Sequence, residues 1–428
     1  MSNQEVIRRR EYCQFIKEIP GSELYLVVGI DIGKDRHRAF MGTATGICLF
    51  RKLVFSNDLE GFSRLLKTAE QMKIQHGLSK VVYGMEPTGN YHKPLGQYLI
   101  QRGITVVLVS AQAVKNNRQL LDGRWDKNDT KDGANIADLI SRGRCQYYDL
   151  PCRGIIELRS LLSLRRRLKK EAHGIKVRIR NNLVAKYFPE LDRFYSGCES
   201  ETLRIVQWCL DPKMIAALQF GEFFHMVTTG CRGVAQSLRL RKIYDLSKQS
   251  VGCPMDAAGE YEADLLVEKL RGVGEQIKKT DELIEEICLE FDPYGYLLTI
   301  CGFGPYVSAT VLSAIGDPFR FKNRKQLLKS AGFDLCANRS GKRSDKAVAV
   351  ISKKGNGQLR YALYQAANVA AARTDLFRVY FTSMLKGRER ERGIKTKMRV
   401  KLAAKMLVIA WTLMKKQQPF DPAYINTD

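Results

Sequence analysis

The chain has 428 residues, 45% of them hydrophobic and 9% aromatic, enough for two or three domains with cores of their own and not the composition of a disordered polymer. Its 70 Lys and Arg against 45 Asp and Glu give a net charge of +25. No apolar run approaches the roughly 18 residues of a membrane span, and the opening MSNQEVIRRREYCQ is too charged for a secretory signal. Eleven cysteines and five histidines, scattered and without a CxxC pair, exclude a structural zinc site and point to a soluble cytoplasmic protein with reduced thiols.

Residues 1–23 read as a basic helical extension broken at Pro20-Gly21. Leu24–Ile32 follows as a strand buried on both faces, with Asp31 inside its apolar run between Gly29 and Gly33. A carboxylate there is costly to bury unless it is paired or binds a metal; a lone D-x-G is more often a loop acid. Two further strands, Ala39–Thr43 and Ile47–Phe55, turn at Gly46, and Leu59–Met72 has helical spacing. The strand Val81–Met85 delivers Glu86 at its end, a helix covers Tyr91–Arg102, and Thr105–Ser110 is another buried strand. Three strands followed by alternating helix and strand predict a mixed sheet with helices packed on it.

In Asp126–Ile140 (DKNDTKDGANIADLI) the apolar positions again have helical spacing, so Asp129 and Asp132 share one helical face. Two acids so placed suit a helix start, and they repel unless a cation lies between them. Asp31, Glu86, Asp129 and Asp132 together fit a single oxygen-rich site for magnesium, whose paired ions stabilise the attacking and leaving oxygens of a phosphodiester. Asp35, Asp126 and Asp138 lie near enough to be mistaken for members.

The middle of the chain is helical. Ile155–Lys186 carries a leucine stripe opposite an arginine-rich face with Arg165, Arg166, Arg167 and Lys169, and Glu260–Glu290 has a comparable stripe, suggesting an antiparallel or intermolecular coiled coil. Residues 190–258 show no clear period. Then Leu297–Asp317 places Gly302 and Gly304 between two short apolar helices, the pattern of a helix-hairpin-helix whose glycines admit a phosphate, or of a plain tight turn. After ANRSGK (337–342) and ISKKGNGQLR (351–360), an alanine-rich helix covers Tyr361–Ala372, and a basic loop leads to a final helix, Lys401–Lys415.

The charge is concentrated. Residues 151–190 hold 11 Lys and Arg against 3 acids, 319–361 hold 12 against 2, and 386–405 hold 9 against 2, which accounts for the whole excess. Such windows are the footprint of a polyanion, here nucleic acid, since no amphipathic anchor with exposed aromatics suggests a membrane.

GIDIGK, GMEPTGNY and KNDTKDGANIA resemble the acidic quartet of the RuvC-like domain in a family of bacterial insertion-sequence transposases. LLTICGFGP…AIGD…LLKSAGFD…SGK…ISKKGN resembles that family's second half, a transposase domain with a catalytic serine related to pilin-gene inversion recombinases. The likeness covers roughly 24–185 and 260–415; the family usually has Thr and Ala where this chain has Asn128 and Gly133, and 190–258 is extra length. It implies an RNase H-like (RuvC-like) DEDD domain at 24–150, a helical coiled-coil region at 151–293 and a mainly α serine domain at 294–428. It implies a recombinase guided by a structured "bridge" RNA, acting on target and donor DNA, binding Mg2+ through Asp31, Glu86, Asp129 and Asp132, and working as a dimer that assembles to a tetramer. Ser340 would be the nucleophile that forms a covalent phosphoserine. Arg339, Lys342, Arg343, Lys353 and Lys354 could offset charge developing there, with Ser344 and Ser352 as fallback nucleophiles. The positive helix would hold RNA and the C-terminal windows DNA. Two other readings stand beside this one: a metal-dependent junction-resolving nuclease without a protein–DNA bond, and a non-catalytic nucleic-acid-binding scaffold.

Overall fold

The structure, a computed structural model, describes residues 3–122, 129–195, 200–208, 210–228, 233–336 and 350–424. The chain divides into two compact units, residues 1–150 and 151–428.

The first unit is a mixed sheet between two layers of helices. In chain order it runs α1 (Asn3–Glu18), β1 (Tyr25–Asp31), β2 (Arg36–Thr43), β3 (Cys48–Ser56), α2 (Leu59–Gln75), β4 (Lys80–Met85), α3 (His92–Gln101), β5 (Val106–Leu108), α4 (Ala111–Asp122), α5 (Asp129–Ser141) and β6 (Gln146–Tyr147). The strand order is β3-β2-β1-β4-β5-β6. The first three strands form an antiparallel meander, β4 and β5 run parallel to β1, and β6 closes the edge antiparallel. That arrangement is consistent with the RNase H-like expectation. Central strand β1 is buried on both faces up to Ile30, which is why Tyr25–Ile30 reads as an unbroken apolar run. Leu26, Val28 and Ile30 pack under α2 and α3, while Tyr25 and Val27 belong to the core beneath α1, α4 and α5. The period of two therefore assigns every later residue of the strand to a face.

The second unit is almost wholly helical. Helix α6 (Arg153–Arg178) widens into a π-turn at Ile179–Val184, where the sequence had suggested unbroken α-helix, and ends in the short α7 (Ala185–Tyr187). A π-turn's longer period brings Leu183 and Val184, four and five residues on, into the core with Ile179. The unassigned stretch folds as α8 (Ser200–Trp208), α9 (Pro212–Ala217), α10 (Phe220–Val227) and α11 (Val234–Ser247), which pack on α6 and on α12 (Ala257–Leu289). Helices α6 and α12 lie antiparallel: Leu158 and Leu162 share a core with Ile284 and Cys288, and Leu168 to Ile175 share another with Leu266 to Ile277. The first of those cores continues through α13 (Asp292–Leu298), α14 (Pro305–Ile315), α15 (Arg324–Ala331), α16 (Gly357–Arg373), α17 (Asp375–Leu385) and α18 (Ile394–Lys416). A two-stranded hairpin, β7 (Leu335–Cys336) and β8 (Val350–Ile351), stands between α15 and α16. Helix α18 starts seven residues before the predicted Lys401, because Ile394 and Met398 reach back into a small cluster with Leu385. Among the described residues no helix is long and apolar enough to cross a membrane.

Candidate catalytic acids and the cationic hairpin

Parallel register sets the first pair of acids side by side. Gly29 lies opposite Gly84 and Ile30 opposite Met85, so Asp31 and Glu86 are next along adjacent strands, roughly 4.8 Å apart between strand axes. Alternation then decides their face. Ile30 and Met85 point into the α2–α3 core, so Asp31 and Glu86, one residue on, are assigned to the α5 side. Both residues are partly exposed, as suits the carboxyl edge of a parallel pair.

Helix α5 is brought to that edge by two missing side chains. A Cβ on Gly29 would lie 2.7 Å from the Ala137 amide nitrogen and closer still to the Gly133 carbonyl oxygen. A Cβ on Gly133 would lie 3.1 Å from the Gly29 carbonyl oxygen and 3.1 Å from Phe40 Cβ. Helix backbone thus rests directly on strand backbone two residues before Asp31. Asp132 immediately precedes the contact, and Asp129, one turn earlier, opens the helix on the same stripe; its side chain lies outside the described residues.

Asp132 is only 4% exposed, and Arg118 of α4 holds it. Arg118 donates to Oδ1 from Nη2 at 2.7 Å and from Nε at 3.1 Å. Asp31 faces a second arginine: Arg38, its partner across β1–β2, places Nη1 4.0 Å from Oδ2. Two arginines therefore stand where like-charged carboxylates would otherwise repel. Neither was singled out from the sequence. Arg38 follows from the hairpin register once the length of the Ile32–Asp35 turn is known, whereas nothing local marks Arg118.

The neighbouring acids have other work. Asp138 accepts from Asn117 Nδ2 at 2.7 Å and pairs with Arg142 at 2.9 Å. Asp35 is exposed in the turn after β1, and its carbonyl accepts from the Asn57 amide at 3.0 Å. Asp126 lies outside the described residues.

The acids suit a divalent ion in donor type and in the elements that carry them. All four offer hard anionic oxygen, two stand on adjacent strand ends, and Asp132 Oδ2 takes no hydrogen bond from a described residue. Among the described residues no three such side chains close on one point, so the set needs Asp129 or a movement of Asp132 to become a cage.

In the second unit, the run that contains Ser340, Arg339, Lys342, Arg343 and Ser344 lies outside the described residues; its two ends are the strands β7 and β8. Ser352, at the base of β8, donates from Oγ to Asp334 Oδ1 at 2.5 Å, and its amide donates to the Asp334 carbonyl at 2.7 Å. That pair fastens the hairpin base. Lys353 follows with φ +56°, a left-handed conformation unusual for a side-chain-bearing residue, and both Lys353 and Lys354 are exposed. Asn356 then caps α16 by accepting from the Gln358 and Leu359 amides at 3.0 and 3.1 Å.

Gly302 and Gly304 part company. A Cβ on Gly302, whose φ is +87°, would lie 3.2 Å from Ala370 Cβ and nearer to the Ala366 carbonyl, so it seats the turn on α16. Gly304 is the N-cap of α14 and has open space around it.

The basic face of α6 also divides. Arg165 pairs with Asp281 of α12 and lies over the Tyr306 ring at 4.2 Å. Arg166 donates from Nε and Nη1 to the Gln358 side-chain oxygen at 2.8 and 2.7 Å, with the amide turned to face it. Arg167 and Lys169 are exposed.

Comparison with known proteins bears on both units. A family model of the DEDD and IS110 type, described as "Transposase", matches residues 28–189. A second, described as "Transposase IS116/IS110/IS902 family", matches residues 294–382. The chain is 26% identical over 408 residues to the insertion element IS116 uncharacterized 44.8 kDa protein of Streptomyces clavuligerus, covering 92% of this chain and 96% of that one. It is 21% identical over 419 residues to the transposase for insertion sequence element IS1111A of Coxiella burnetii, covering 97% and 96%.

Proposed function

This chain belongs to the IS116/IS110/IS902 transposase family, and on that premise we propose that it is an RNA-guided DNA recombinase that cuts and rejoins target and donor DNA through a covalent phosphoserine. The observation that carries the acidic half of this reading is the parallel register that sets Asp31 beside Glu86 on the α5 side of the sheet, with Asp132 on the helix seated there. Asp31, Glu86, Asp129 and Asp132 hold Mg2+ in the RuvC-like domain at 24–150, which a helical region at 151–293 joins to the serine domain at 294–428. The ion supplies charge neutralisation at the scissile phosphate.

In the cleavage step Ser340 Oγ bonds to phosphorus, the bond to one deoxyribose oxygen breaks, and that oxygen leaves with the proton the serine gives up. Arg339, Lys342, Arg343, Lys353 and Lys354 bind the phosphate and offset its developing charge. The phosphodiester's energy is kept in the serine–phosphate bond, so the hydroxyl of a new strand reverses the step without ATP. Gly304 leaves backbone open to a DNA phosphate, Gly302 shapes that turn, and exposed Arg167 and Lys169 of α6, with Arg165 and Arg166 bracing the helix, contact the guide RNA. Strand exchange needs several active sites acting together, so the protein works as a dimer that pairs into a tetramer, acting in the cytoplasm where its DNA lies.

Labelled target DNA, guide RNA and Mg2+, followed by a denaturing gel, test this. Wild type gives a protein–DNA band, and Ser340→Ala gives neither band nor cleavage while still binding both nucleic acids. Cleavage with no covalent band in any form would replace the recombinase with a metal-dependent junction nuclease. No magnesium-dependent activity at all would leave a binding scaffold.

A further inference from the structure

We propose that Arg118 is a positioning residue for the acidic site: it fixes the Asp132 carboxylate by one oxygen and thereby presents the other to the metal ion. The inference rests on reading Asp31, Glu86, Asp129 and Asp132 as the metal ligands.

An ionised carboxylate that is 4% exposed requires compensation by charge or hydrogen bonds. Arg118 supplies both, and it does so on one side only. Its Nε and Nη2 both end on Oδ1, at 3.1 and 2.7 Å, and no described residue donates to Oδ2. Two donors of a rigid fork on one oxygen restrain the carboxylate and leave its second oxygen without a described donor, available to a cation.

The guanidinium could instead be a displaceable stand-in that a metal ion expels. The attachment of α4 argues against that. Asn117, next to Arg118 and 5% exposed, donates from Nδ2 to Asn135 Oδ1 at 2.8 Å and to Asp138 Oδ2 at 2.7 Å. Asn135, fully buried, donates back to the Val114 carbonyl at 2.8 Å. Helix α4 is thus bound to α5 through the residue next to Arg118 and through Val114 one turn before it, which fixes the base of the arginine relative to the helix that carries Asp132. An arginine so placed orients its partner; a latch would need a stem free to swing.

The test uses the full-length protein and Mn2+ as probe, with free Mn2+ counted by its electron paramagnetic resonance signal. Arg118→Met should weaken Mn2+ binding about 10- to 100-fold, the usual effect of losing a partner that orients a metal ligand. Arg118→Lys, which keeps the charge but not the two-donor fork, should fall between. Hydrogen exchange of β1 and α5 should stay at wild-type protection in the lysine variant, separating a metal effect from unfolding. Unchanged affinity in both variants overturns the proposal, as does tighter binding, which would make Arg118 a competing cation. Loss of α5 protection in step with loss of binding in both variants would reduce Arg118 to a structural tie. Asp31→Asn is the control for the underlying reading: if it leaves Mn2+ binding intact, the acids are not the metal site, whatever Arg118 does.

Discussion

Replacing Gly29 by alanine tests how the site is assembled, because it changes a contact and no charge. The added methyl would meet the Ala137 nitrogen at 2.7 Å and the Gly133 carbonyl still closer, and both are helix backbone that no rotamer change can move aside. Overpacking of this kind costs about 1–3 kcal/mol, and a contact with backbone alone belongs at the upper end. Alanine recovers roughly 0.5–1 kcal/mol relative to glycine in a strand, leaving a net loss of about 2 kcal/mol. Gly133→Ala is the matched control. Its methyl would lie 3.1 Å from Phe40 Cβ and from the Gly29 carbonyl, a squeeze of a few tenths of an ångström, while the helix gains about 1 kcal/mol of propensity. The expected result is stability within about 1 kcal/mol of wild type. Hydrogen exchange of the full-length protein reads both: amides of α5 should lose roughly 30-fold protection in Gly29→Ala, since 1.4 kcal/mol is tenfold. DNA cleavage should fall with it, because α5 lifts Asp132 away from Asp31. Equal protection in the two variants would mean that α5 is not seated on β1 through this glycine pair.

Glu86→Gln and Asp129→Asn should each abolish DNA cleavage with wild-type melting temperature, whereas Asp35→Asn should cleave normally; activity in either of the first two removes that residue from the site. Neutralising Arg167 and Lys169 together should lower the slope of log affinity for RNA against log salt by roughly 1 to 2, at about 0.7–0.9 per lost phosphate contact, and an unchanged slope would make that face solvent-bearing only. Arg165→Gln should instead act on stability, by about 1 kcal/mol after screening at the half-exposed Asp281, with the salt slope left alone. Burial holds the His37 ring, packed against Phe55 and Phe62, below its ordinary value of 6.5. The unfolded chain therefore binds the proton first, and stability should be fully present above about pH 6.5 and fall as pH drops below it, by up to about 1.4 kcal/mol per unit. Calorimetry at stepped pH should find that decline reduced in His37→Phe, and an identical profile would discount the ring as its source.

The sheet was legible because burial on both faces leaves a simple trace. Leu24–Ile30 and Val81–Met85 are apolar without interruption, and the acids that follow stand out against that background. Helix α4 was not legible, for an equally physical reason. Among its described residues Val114 and Asn117 are buried, and part of its grip on α5 is made by Asn117 and Asn135, amides that a hydrophobic pattern does not register. Arg118 was lost with it, and it belongs to the acidic site only because the chain returns through α5 fourteen residues later.

Charge shows the same limit from the other side. Three basic windows in the sequence announce a polyanionic partner, yet net charge counts an arginine the same whether it faces a phosphate or a neighbouring helix. On α6 the two uses alternate within three residues: Arg165 is spent on Asp281 and Tyr306, Arg166 reaches Gln358 in the first turn of α16, and Arg167 is left to solvent. The first two tie the long helix to α12, α14 and α16 of its own unit. Which arginine braces the bundle and which is left to solvent follows from how α6 packs against α12, α14 and α16, and no count of lysines and arginines could have placed that division.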